Sequence, residues 1–224
     1  LKTEKRIPVM AWIGPPETES TPERYKEMAE AGFTHSFSFT SNLAEMVKMM
    51  DAAQAAGIKQ FVYCPELKTD PEGVAKKFMN HPAMAGYHLK DEPSAKEYAD
   101  LAKWAKRIQA VDNKHWCYIN LFPNYAGNGA LGTGSYQEHV DRFMTEVPSE
   151  AVSFDNYPIT GNNFRPEFYE NLEIIALASR KAKKPFWAFT LSVAHASYPT
   201  PKLEHLRLQV FSDLAYGAYG IQYF

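Results

Sequence analysis

Two hydrophobic patterns alternate along this chain. Short runs of β-branched and aromatic residues are followed by longer segments whose apolar positions recur every three or four residues. The first pattern fits a buried strand and the second an amphipathic helix, so the chain reads as repeated strand–helix units around a parallel sheet. The strand-like runs fall at residues 8–14, 34–39, 59–65, 84–91, 115–123, 151–159, 185–193 and 220–224. Thr21, Pro22 and Glu23 open the first helix as cap, first-turn proline and first-turn acid, and Gly32 closes it. Asn42 opens a second, with Leu43, Met46, Met50 and Ala53 on one face as far as Gly57. Asp70, Pro71 and Glu72 start a third, and Tyr98, Leu101, Trp104, Ala105 and Ile108 mark a fourth. Ser135 starts a fifth, and segments 166–184 and 201–216 supply two more. The glycine-rich stretch 125–134 reads as a mobile loop.

Eight strands alternating evenly with about seven helices predict an α/β protein, a (β/α)8 TIM barrel. A doubly wound open sheet is the alternative, but it usually places a glycine-rich phosphate turn after its first strand. Here residues 14–20 hold two prolines and two acids at that place, which favours the barrel. The chain starts without an initiator Met or a signal-like segment and stops within the apolar run 220–224. It is therefore expected to be a single barrel domain over 1–224, a fragment of a longer protein truncated after the eighth strand.

Composition narrows the function classes. The chain has 224 residues, 45% hydrophobic and 22% charged, with a net charge of −2. That balance argues against a broad nucleic-acid surface, and no apolar run approaches the length of a membrane span. Cys64 and Cys117 lie within apolar runs and read as buried free thiols. The seven histidines form no metal-binding spacing, so no metal or other cofactor is expected. Met46, Met49, Met50, Trp104 and Trp116 read as packing residues, and the lysines at 181, 183 and 184 as a helix C-terminus complementing its dipole.

Barrel enzymes do their chemistry at the C-terminal ends of the strands. Those ends hold Trp12, Tyr63, His88, Asp91, Glu92, Asn120, Asp155, Asn156, Tyr157, Trp187, His195, Gln222 and Tyr223. Aromatic faces beside carboxylates and amides suit a sugar, whose C–H faces stack on rings while its hydroxyls need donors and acceptors. At the fourth strand end, burial would raise the pKa of Glu92 or Asp91 into the range of a general acid. The plainer alternative is that one of them caps the following helix.

Three stretches resemble the β-galactosidase-type enzymes of glycoside hydrolase family 42 in clan A. These are Ser153-Phe154-Asp155-Asn156-Tyr157-Pro158 on the sixth strand, Pro185-Phe186-Trp187 on the seventh, and the glycine-spaced run from Tyr216 to Phe224. The resemblance implies hydrolysis of β-linked glycosidic bonds, with Glu92 as general acid and Asp91 supporting it where the family usually has Asn. From their places at the strand ends, Asp155, Asn156, Tyr157, Trp187, Asn120, His88, Trp12 and Tyr223 are expected to contact the sugar, with a structural role as the alternative for His88. Clan A also places a nucleophilic Glu on the seventh strand, and residues 187–192 contain no acid. Three alternatives follow. Asp155 or Glu66 replaces it, although Asp155 is expected rather to hydrogen-bond sugar hydroxyls. Asp91 and Glu92 instead act as the pair of a substrate-assisted N-acetylhexosaminidase, with Tyr157 helping to hold the acetamido group. Or the barrel binds carbohydrate without cutting it. The expected partner is an oligosaccharide or glycan and the expected setting is extracytoplasmic polysaccharide degradation. The sugar, the linkage and the oligomeric state stay open at this point.

Overall fold

The computed structural model describes residues 6–161 and 163–224. Its eight long strands are β1 (Val9–Trp12), β2 (His35–Phe37), β3 (Lys59–Val62), β4 (Met84–Asp91), β5 (Trp116–Leu121), β6 (Val152–Phe154), β7 (Phe186–Thr190) and β8 (Gly220–Tyr223). They form a closed barrel in the order β1-β8-β7-β6-β5-β4-β3-β2, with helices in the connections. This is the α/β TIM barrel that the alternating patterns predict. Among the described residues no helix is long and apolar enough to cross a membrane.

The contacts gather into two compact units. One contains the described residues up to Leu89 with Asp100–Tyr118, the other Lys90–Ala99 with Ile119–Phe224. In the first unit, helix α1 (Pro22–Glu30) is capped by Thr21 and α2 (Leu43–Ala55) by Asn42, each accepting a backbone N–H three residues on. Met46, Met49 and Met50 on α2 are fully buried, each contributing about 1.5–3 kcal/mol by leaving water. A short helix α3 (Glu66–Thr69), absent from the sequence pattern, precedes α4 (Pro71–Phe78), whose cap is Asp70, and α5 (Tyr98–Gln109) is the next helix along the chain. Trp12 and Phe37 stand opposite each other in the β1–β2 register and stack with ring centroids 4.3 Å apart. Cys64 and Cys117 are buried free thiols.

The second unit carries α6 (Asn128–Leu131), α7 (Tyr136–Glu146), α8 (Glu167–Ala182) and α9 (Leu203–Tyr216). The stretch expected as a mobile loop contains α6, closed by the left-handed Gly132 and pinned by the buried side chains of Leu131 and Thr133. A two-residue antiparallel pairing, Ile159–Thr160 with Asn163–Phe164, interrupts the link from β6 to α8; residue 162 lies outside the described residues.

Register defines the faces of this half of the sheet. Asn120 pairs with Ser153, Ser153 with Trp187, and Trp187 with Gly220, so these four share one face across β5 to β8. One residue on, Leu121, Phe154, Ala188 and Ile221 share the other. Thr190, on that second face, reaches Asp213 of α9, so the second face meets the helices and the first looks into the barrel. Gly220 is required there. A Cβ on it would lie 2.5 Å from Cδ2 of the Trp187 indole, which fills the space.

Candidate active site

The end of β4 is held by backbone rather than by its acids. Glu92 N–H donates to the Asn120 carbonyl over 2.8 Å, and Glu92 has a φ of 46°. A residue with a Cβ in that left-handed region costs about 1–3 kcal/mol and persists where its surroundings dictate it. The helical turn that follows takes its cap from Ser94, which forms a reciprocal capping box with Glu97. Neither Asp91 nor Glu92 is needed for capping, and both carboxyls remain available. Lys90, beside them in sequence, pairs with Glu97 at 3.3 Å.

Asn120 gathers the carboxyls. Its side-chain nitrogen donates to Oδ1 of Asp91 at 3.0 Å and to Oδ1 of Asp155 at 2.9 Å. Its amide is oriented from below: Ser153 Oγ donates to Asn120 Oδ1 at 2.8 Å, and Gln222 Nε2 donates to Ser153 Oγ at 2.8 Å. A chain of polar side chains from β8 through β6 to β5 therefore turns the Asn120 donors toward the acids. Glu92 and Asp155 also lie close enough for each to act on the other's proton affinity.

Crowding of these groups changes their proton affinity. Glu92 rises to about 7, first through burial and then through the charge of Asp91, with the Asp155 hydrogen bond opposing. Asp155 is raised well above the usual carboxylate range by burial, reinforced by the charges of Glu92 and Asp91. Asp91, open to solvent at the edge of the cluster, is raised by partial desolvation against the pull of Asn120 and Lys90. Three carboxyls this close do not all ionise near neutrality, so the cluster retains a proton that it can deliver.

An aromatic wall built from loops belongs to the same unit. Tyr157 meets Tyr198 edge-on at 5.4 Å and lies 5.8 Å from Phe224, whose ring carries His195 at 4.6 Å. The hydroxyls of Tyr125 and Tyr198 are 3.1 Å apart, and the charge of Asp155 contributes to a raised Tyr125 pKa. Arg165 lies over the Tyr125 ring with Cζ 4.0 Å from its centroid.

The expected residues separate on this geometry. Glu92, Asp91, Asn120 and Asp155 come together, with Tyr157 in the aromatic wall. Asn156 stands apart from them. It is buried and points the opposite way, donating to Asn124 at 3.2 Å and to Asn171 of α8 at 3.0 Å, so it braces the loop instead of facing a ligand. Trp187, 1% exposed against Gly220, is barrel packing and offers no open ring face. Tyr223 shares register with Thr190 and its pKa is raised by burial and by the charge of Asp213, which puts it on the helix-facing side. The residue that enters the polar chain is its neighbour Gln222. Trp12 and His88 lie in the first unit, where Phe37 packs on His88 with ring centroids 4.3 Å apart and burial lowers the His88 pKa to about 3. Glu66, also in the first unit, accepts the Leu43 N–H at 3.1 Å and so serves the start of α2. Tyr125, Tyr198 and Arg165 are additions that no motif announces, and Ser153, the first residue of the sixth-strand stretch, is an addition through its bond to Asn120. Among the described residues no group of three or more His, Cys, Asp or Glu is placed to hold a metal ion.

No family model matches the chain, and no curated protein matches it either. Solved structures do. A putative α-L-fucosidase from Bacteroides thetaiotaomicron is 11% identical over 91% of this chain and 79% of its own, with a TM-score of 0.65. A hyperthermophilic endo-β-1,4-glucanase solved with substrate is 12% identical over 91% and 81%, at 0.62. The HpcH/HpaI aldolase from Desulfitobacterium hafniense is 15% identical over 97% and 86%, at 0.61. At such identities the likeness shows a shared barrel, one on which glycoside hydrolases and an aldolase are both built.

Proposed function

We propose that this barrel hydrolyses β-linked glycosidic bonds, with Glu92 as the general acid, in the manner of the clan A enzymes its sequence resembles. The observation that carries the reading is the cluster of Asp91, Glu92 and Asp155 around Asn120, in which Glu92 is raised to about 7. A carboxyl that keeps its proton near neutrality is what a departing alkoxide needs, and the charge of the neighbouring Asp91 stabilises the positive charge that develops on the sugar ring. Tyr198, half-buried, supplies ring surface for stacking, with the buried Tyr157 packed edge-on against it.

The nucleophile is a separate question, because no acid occurs on β7. Retaining enzymes hold their two carboxyls about 5–5.5 Å apart and inverting ones about 6.5–9.5 Å, with room for a sugar carbon or a water between. Asp91, next to Glu92 in the chain, is held by the Asn120 side chain at 3.0 Å, which sets an orienting acid beside the proposed general acid. That pairing favours a second reading within the same class. The attacking atom is the oxygen of a substrate 2-acetamido group, Asp91 orients it, and Glu92 protonates the leaving group.

Glu92→Gln tests the acid. The variant is expected to lose about 10²–10⁴-fold in kcat on β-glycosides with poor leaving groups while still binding glycan. Hydrolysis at the wild-type rate would remove Glu92 from the mechanism. Glycan binding by the wild type with no cleavage of any β-glycoside would replace hydrolysis by carbohydrate binding. Inhibition by a thiazoline mimic of the cyclised acetamido intermediate would select the substrate-assisted route.

A further inference from the structure

Arg165 stands over the aromatic wall. Its backbone N–H donates to the Pro158 carbonyl at 2.8 Å, so the chain turns back on itself beside the aromatic wall. Its guanidinium lies 4.0 Å over the Tyr125 ring and 5.9 Å from the Tyr198 ring centroid. Those rings are joined through their hydroxyls and continue through Tyr198 to Tyr157, two residues from Asp155. Among the described residues Arg165 pairs with no carboxylate and donates no side-chain hydrogen bond. It does not serve the helix that follows either. It stands just before the N-terminus of α8, where a cation opposes the helix dipole and where Glu167 and Glu170 occupy the favourable positions. The stacking orients a planar, permanently charged fork of N–H donors and leaves its edge unengaged, the arrangement that matches a planar or tetrahedral anion.

We infer that Arg165 selects substrates bearing an anionic substituent, a uronate carboxylate or a sulfate ester, on the sugar bound beside the acid cluster. This rests on the glycoside-hydrolase reading of that site. Charge balance supports it: an anionic sugar approaching three carboxyls is repelled unless a cation meets its substituent. A neutral glycan offers no charge to a guanidinium held there.

Three forms of one β-linked oligosaccharide make the test: one bearing uronates, the same chain with its carboxyls reduced to hydroxymethyl groups, and the reduced chain carrying sulfate esters. Binding is followed by calorimetry and cleavage by reducing-end release. The wild type is expected to prefer one anionic form over the neutral form by about 10–100-fold, the scale of hydrogen bonds to a charged group. Whichever form wins identifies carboxylate or sulfate. Arg165→Ala should abolish that preference, and Arg165→Lys, which keeps the charge without the fork, should retain part of it. Thermal melting of each variant checks that the barrel is intact, and Arg165→Lys carries the test if the alanine variant does not fold. Equal or better handling of the neutral form by the wild type would overturn the inference, as would a preference that survives Arg165→Ala. A preference seen in binding, lost in the variant and accompanied by no cleavage would uphold anion recognition while removing hydrolysis.

Discussion

Asn120 stands 2.9 Å from Asp155, its side-chain nitrogen directed at Oδ1, and the same nitrogen also reaches Asp91. One amide thus holds two acids from different strands, and Ser153 prevents it from turning over. Asn120→Ala removes both donors and leaves the Ser153 hydroxyl without its acceptor. Hydrogen bonds to charged groups are each worth about 1.5–3 kcal/mol, so kcat/KM is expected to fall about 10–100-fold with the fold retained. Ser153→Ala, which only loosens the amide, should cost less. Steady-state kinetics on both variants checks the order, and a larger loss from Ser153→Ala would contradict the proposed hierarchy.

The pH profile follows from Glu92. With its pKa raised to about 7, the acid form prevails below that pH, so kcat should decline as pH rises through about 7. Because Glu92 and Asp155 each shift the other's proton affinity, this limb belongs to the pair rather than to one residue. The charge of Asp91 helps to raise Glu92, so Asp91→Asn should move the limb to lower pH. A limb that stays in place, or moves upward, would mean that Asp91 does not act on Glu92 in this way.

The barrel was legible because strand and helix periods differ so sharply that eight of one and seven of the other stand out along the chain. The acids at the end of β4 were legible from their position alone. The facing of individual residues was harder to read. Asp155, Asn156 and Tyr157 follow one another past the end of β6, yet the alternation continues, sending Asn156 to α8 and its neighbours inward. The same alternation exchanges Tyr223 for Gln222 on β8. Trp187 has the composition of a sugar platform but stands opposite a glycine, and only the register reveals that it fills the gap. Tyr125 and Tyr198 meet across 73 residues of chain, a contact that no local pattern encodes.

Gly220 should be intolerant of any side chain. A methyl group there would press on the Trp187 indole, with atoms at 2.5, 2.7 and 2.9 Å, and the ring is walled in by the barrel. Overpacking of this kind typically costs about 1–3 kcal/mol. Gly220→Ala should therefore lower the urea midpoint with little change in slope. In a Trp187→Phe background, where the smaller ring leaves room, the same substitution should cost measurably less. Equal costs in the two backgrounds would show that the glycine is there for another reason.

Asp213 offers a test of stability rather than catalysis. It is fully buried on α9, Thr190 donates to its side chain at 3.5 Å, and burial raises its pKa well above the ordinary carboxylate value. In the unfolded chain the group titrates near 4, so above that pH the folded state holds a proton that the unfolded state has released. Its contribution to stability is therefore complete at low pH and is lost progressively as pH rises toward the folded-state pKa. Asp213→Asn keeps the shape and the Thr190 contact without an ionisable proton. The variant should melt higher than the wild type at pH 8, and the gap should close as pH falls toward 4. Parallel melting curves across that range would show that Asp213 is not held protonated in the folded barrel.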